Sequence, residues 1–169
     1  QTYGLAEIAV DNLDISFESN LSARAVVIAN SGDFTLRDSK IKNVASALYY
    51  TGGDGDPTKS INVHNLETVD CVSNIVPFVY GRYSTGVLDK LSIKNSRFEI
   101  SKDIISIYIL AMDCTKVKSL DVSKSSFDIS RGLFSYSATT TDIKLNDVVL
   151  NVRTIDTVSG IYASLLNPA

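Results

Sequence analysis

The chain has 169 residues, 44% of them apolar and 21% charged, with a net charge of −3 at neutral pH. This is the balance of an ordinary folded domain, so it argues against disorder, and no basic cluster marks a nucleic-acid surface. No apolar run reaches the roughly 18 residues that indicate a membrane-spanning helix.

The length fits one domain, residues 1–169, with enough chain for a sizeable core. QTYGLAEIAV opens it without the basic start and cleavage site of a signal peptide. Residues 1–12 are expected to cover one end of the domain or to form a partial coil. LDISFES (13–19) begins an alternating pattern with Leu13 and Ile15, and AVVIA (25–29) reads as a strand. Asn20-Leu21-Ser22 is a sequon that matters only in a secreted eukaryotic protein. FTLRDSKIKNV (34–44) places Phe34, Leu36 and Ile41 at offsets 0, 2 and 7, then slips, with Val44 one residue late. ALYYT (47–51) is a further strand before the loop GGDGDPTKS (52–60). INVHNLETVDC (61–71) starts well at Ile61 and Val63 but puts Thr68 and Asp70 at apolar offsets. The strand VPFVY (76–80) and the loop GRYSTGVLDK (81–90) follow.

Then comes a phrase written twice. LSIKNSRFEIS (91–101) is followed by LDVSKSSFDIS (120–130), with apolar residues at offsets 0, 2, 7 and 9 in both. ISIYIL (105–110) and LFSYS (133–137) read as the strands after each, and IKLNDVVLNVR (143–153) repeats the template. The phrase starts at 13, 34, 61, 91, 120 and 143 are spaced by 21, 27, 30, 29 and 23 residues. Residues 154–169 are expected to form a last partial coil, and the chain to be an excised part of a longer one.

Offsets 3 and 4 are polar and read as a corner between two strands. Offset 4 is Asp38, Asn65, Asn95, Lys124 and Asp147. Asn and Asp tolerate the left-handed conformation that a sharp corner needs, which makes Lys124 the exception. Three short strands per repeat, and few helix signals, predict an all-β parallel β-helix of about six coils. No coil can bury its apolar side chains alone, and stacking them creates the core. A β-sandwich would need hairpin turns, and Asp54-Gly55 is the only such pair. With these rungs the sequence resembles the right-handed parallel β-helix superfamily, the pectin-lyase-like fold, over residues 13–153. In style it is similar to β-helix surface proteins of gut Bacteroidetes.

Candidate binding residues fall in two rows. Tyr50, Tyr80, Tyr108, Tyr136 and Tyr162 are spaced 30, 28, 28 and 26 residues apart, one in each third strand. An outward ladder of these rings would be a platform for sugars; an inward one would be core. Alternation puts Tyr108 outward and Tyr136 inward, so both readings stand. Arg37, His64 and Lys94 share offset 3 on three successive coils, a positive row suited to an acidic polysaccharide, or ordinary charged surface. Asp54 and Asp56 are candidate Ca²⁺ ligands on a glycine-rich loop, but the EF-hand pattern is absent and a solvated turn is the simpler reading. No other metal site is expected. Cys71 and Cys114 fit either one bridge or two buried thiols.

No family catalytic motif is present, and the lone His64 has no nucleophile motif to serve. The expected function is therefore a non-catalytic module that binds polysaccharide or serves as a scaffold. The resemblance implies a secreted or cell-surface location. One alternative is a polysaccharide lyase or glycoside hydrolase, or a fragment of one, acting on acidic glycans. The other is an adhesin or filament subunit stacking end to end, because a β-helix leaves open edges on its first and last coils. A neighbouring domain or subunit is the partner expected at those ends.

Overall fold

Period-two alternation becomes strand, and among the described residues there is no helix. The structure, a computed structural model, describes residues 7–28, 32–50, 59–71, 73–76, 87–99, 110–113, 117–129, 132–135 and 139–152. The strands are β1 (Ile8–Asp11), β2 (Asp14–Ile28), β3 (Phe34–Tyr50), β4 (Ser60–Val69), β5 (Ser73–Val76), β6 (Leu88–Lys94), β7 (Arg97–Glu99), β8 (Leu110–Asp113), β9 (Val117–Ile129), β10 (Gly132–Ser135) and β11 (Asp142–Val152). Every pairing among them is parallel, which rules out the antiparallel sandwich. The chain is a parallel β-solenoid.

Long strands bend through corners, so each contributes to more than one column. The first column stacks Ile8, Phe34, Ile61, Leu91, Leu120 and Ile143 in register. The second stacks Ile15, Ile41, Thr68, Phe98, Phe127 and Leu150. The third runs through β2, β3, β5, β8 and β10. About three turns of solenoid are supported, where the phrase spacing predicts six. The first and second columns each hold six residues in register, and the third runs through five of the described strands.

The first rung starts earlier than the sequence pattern suggested. Ile8 pairs with Phe34, while Ile15 pairs with Ile41. Residues 8–11 are thus a strand of the stack, and Ile8, Val10, Ile15 and Phe17 meet the template offsets. Leu13, taken as a phrase start, instead follows the corner.

Corner geometry follows the offset-4 reading. Asp38, Asn65, Asn95, Lys124 and Asp147 all have positive φ, and Asn12 does the same in the first rung. Lys124, at φ 49°, accepts the left-handed cost that Asn and Asp soften. Asn43 and Asp70 are also left-handed, at a second corner. Each shifts the alternation by one residue, so Val44 and Cys71 turn inward and are buried. The slip in the second phrase and the apparent disorder of the third have this one cause. Thr68 and Asp70 do occupy core offsets and are buried there.

Serines lace the first corner. Ser39, Ser96 and Ser125 are buried at offset 5. Their hydroxyls donate to the carbonyls of Arg37 (2.6 Å), Lys94 (2.9 Å) and Ser123 (2.8 Å). The same oxygens accept from the backbone N–H groups of Leu13, Leu66 and Ser96 on the preceding rung, each at 3.1 Å. Where a bend interrupts the ladder, a side chain satisfies the backbone group that would otherwise be orphaned. Behind the corner the rings of Phe98 and Phe127 stack with centroids 4.5 Å apart and planes 5° apart.

Candidate binding face

Offset arithmetic places Arg37, His64 and Lys94 on one line, and the strands put them there. Arg37 pairs in register with His64, and His64 with Lys94. The row continues to Asp11 on one side and to Ser123 and Asn146 on the other. Each residue follows an inward core residue (Leu36, Val63, Ile93) and precedes a left-handed corner, so its side chain stands on the outer surface beside the bend. Parallel strands set successive side chains about 4.8 Å apart. A neighbouring register row holds Thr35, Asn62, Ser92, Asp121 and Lys144, of which Ser92 is buried. The face is therefore polar, with three cationic or titratable groups in line.

Charge along this line is only partly compensated. Asp11 lies 3.7 Å from the Arg37 guanidinium, and both are well exposed. Among the described residues Lys94 makes no ion pair. His64 feels the result: burial, then the Lys94 ammonium, then the Arg37 guanidinium hold its imidazole below the ordinary value, with Asp38 opposing them. Neutral His64 sits between two fixed cations.

Elsewhere several surface charges are paired, some between rungs and some within one strand, while Lys42, Lys59 and Lys124, like Lys94, make no ion pair among the described residues. Lys40 pairs with Glu67 and Arg97 with Glu99. Lys118 reaches Asp89 at 2.6 Å, Lys144 reaches Asp142 at 2.9 Å and Lys90 reaches Asp121 at 3.9 Å. Asp121 and Asp128 lie on two columns either side of the Lys124 corner, and Asp128 accepts from the Asn151 amide at 3.0 Å.

Of the tyrosine row only Tyr50 lies among the described residues, and it faces inward. Tyr50 is 1% exposed and belongs to the core cluster, so its ring offers nothing to a sugar. The third column pairs Tyr49 with Val76, Ile75 with Met112 and Met112 with Phe134, steps of 27, 37 and 22 residues. The even tyrosine spacing is not the period of this column. β5 (Ser73–Val76) and β8 (Leu110–Asp113) each meet an expected strand, 76–80 and 105–110, at one residue, and the rest of both expected strands lies outside the described residues. Tyr80, Tyr108, Tyr136 and Tyr162 lie outside the described residues, as do Asp54, Asp56 and Cys114. Among the described residues no group of three or more His, Cys, Asp or Glu could hold a metal ion.

Sequence reasoning missed Tyr49, the neighbour of Tyr50. The Arg24 guanidinium lies 3.6 Å from the centre of its ring, a cation–π contact. Irregularities in β2 between Ser16 and Arg24 set this partnership, and no spacing rule foretells it. Cys71 is no nucleophile in waiting: burial pushes its thiol up to about 11, and its Sγ points at the Ile41 and Val69 carbonyls.

No helix of the described residues is long and apolar enough to cross a membrane. Compared with protein families, curated proteins and solved structures, the chain matches none.

Proposed function

We propose that this chain is a right-handed parallel β-helix module of the pectin-lyase-like kind, secreted or at the cell surface, that binds an acidic polysaccharide without cleaving it. Its style of rung is similar to that of β-helix surface proteins of gut Bacteroidetes. The observation that carries the binding reading is the in-register row Arg37–His64–Lys94, in which Lys94 makes no ion pair among the described residues. An extended polymer with a carboxylate on each sugar can run along such a line, engaging one cation per rung. Asn62 beside the row supplies an amide able to bond sugar hydroxyls.

Affinity electrophoresis against polygalacturonate, with a neutral glucan as control, tests this. The acidic polymer retards the chain, added salt weakens the effect, and Arg37→Gln with Lys94→Gln weakens it by about tenfold. Equal retardation by the neutral glucan, or none by either, sinks the reading.

A second reading draws on the same row. A neutral imidazole between two cations is the arrangement a uronate lyase would use, with Arg37 and Lys94 holding the carboxylate and His64 taking the adjacent proton. Ultraviolet absorbance of unsaturated products on incubation with the same polymer separates a lyase from a binder.

A further inference from the structure

The last rung differs from those inside. On β11, Ile143, Leu145 and Leu150 are 37%, 41% and 41% exposed, while Leu120, Val122 and Phe127 beneath them are buried. Among the described residues β11 pairs with β9 alone, and no described strand lies on its other edge. At the opposite end the first rung carries the same pattern. Ile8, Val10 and Ile15 stand at the offsets of Ile143, Leu145 and Leu150, and Ile8 is 42% exposed. Both rungs also turn through the same left-handed corner, at Asn12 (φ 58°) and Asp147 (φ 53°).

We propose that the open edge of β11 takes a second copy of this chain, whose β1 and the start of β2 stack on it head to tail and continue the register. Ile8 then meets Ile143, Val10 meets Leu145 and Ile15 meets Leu150. At the corner the Asn12 amide meets the Asp147 carboxylate. This repeats a contact within the chain, where Asn65 Nδ2 donates to Asp38 Oδ1 at 2.6 Å on adjacent rungs. Asp11 comes beside the Asn146 amide. Asp142, which falls next to Glu7, is already neutralised by Lys144 at 2.9 Å. The new contact is thus the rung-to-rung contact of the solenoid made between molecules, a strand added to a free edge.

The arrangement is heterologous, so it builds an open row of copies and not a closed pair. The register irregularities of β2 between Ser16 and Arg24 restrict the match to the first two strands of the rung. Association is therefore reversible and depends on concentration. The inference does not rest on glycan binding.

Light scattering and sedimentation across a concentration series test it, using the unmodified chain, Ile8→Lys and Leu145→Lys. Both substituted side chains are already partly exposed, and circular dichroism confirms that each variant keeps its strands. The unmodified chain gains mass continuously with concentration. Each variant alone stays monomeric to concentrations at least about tenfold higher. An equimolar mixture of the two stops at pairs, because the free tail of one meets the free head of the other. A chain that is monomeric throughout overturns the inference. So does a closed dimer that survives Ile8→Lys, or assembly that neither substitution changes.

Discussion

The rungs at 120–130 and 143–153 place apolar residues at the same offsets and live in different surroundings. Leu120, Val122 and Phe127 have a rung above and a rung below, and all three are buried. Ile143, Leu145 and Leu150 occupy the same offsets, point the same way, and remain partly exposed. In a solenoid the alternation of a phrase sets the direction of a side chain. Its burial comes from the neighbours, and an end rung has neighbours on one side only.

The sharpest way to break this comparison is to remove the same core position in both rungs. Phe127→Ala deletes a ring stacked on Phe98 and opens a cavity in the column, at a cost of about 3–5 kcal/mol. Leu150→Ala trims a side chain that is already partly in water and should cost about 1 kcal/mol or less. Urea unfolding of both variants, with the chain kept dilute, measures the two. Equal losses would mean that the end rung is covered as well as the inner ones.

The corner offers a smaller test. Ser125 Oγ accepts the buried Ser96 N–H and donates to Ser123, so Ser125→Ala leaves that N–H without its acceptor. The expected loss is about 1–3 kcal/mol. The last rung has Val148 at this place, so Val148→Ala removes apolar contact but no such bond. A Ser125→Ala loss no larger than that of an exposed serine would show that the serines do not lace the rungs.

These features were unevenly legible. Offset 4 marked the corners at Asp38, Asn65, Asn95 and Asp147 by residue type, whereas Lys124, the exception by type, is left-handed because its place in the rung is the same. The same rule reached Asn12 only once the first phrase was started at Ile8, since counting from Leu13 hides it. The basic row was legible for the same reason: equal offsets become neighbours when rungs stack. The direction of Tyr50 was not legible, because alternation left both faces open, and the structure turns it into the core. The inward turn of Val44 and Cys71 depends on φ at Asn43 and Asp70, a backbone choice that alternation alone does not reveal. At the face itself, Lys94 without a carboxylate is a matter of geometry, whereas its place in the row was a matter of counting.

The smallest expected effect is at His64. Burial and the two flanking cations favour its neutral form in the folded chain, so its folded pKa lies below the ordinary 6.5. As pH falls through 6.5 the unfolded chain takes the proton first. The contribution of His64 to stability is complete above that pH and declines below it. A nuclear magnetic resonance titration should give a midpoint under 6.5, and Lys94→Gln should raise it. A midpoint at or above 6.5 in the unmodified chain would contradict the uncompensated row.

All of these comparisons depend on rungs that stack in register, and a cysteine pair reads that directly. Thr35 and Asn62 are outward register partners on adjacent rungs. Their Cα atoms should lie about 4.8 Å apart, inside the span a disulfide accepts. His64 is two residues further along the same strand, a diagonal of about 7–8 Å from Thr35. Under mild oxidation, with bridges located by peptide mapping, Thr35→Cys with Asn62→Cys should close readily and Thr35→Cys with His64→Cys should not. Closure of the diagonal pair in preference, or of neither pair, would contradict the stack.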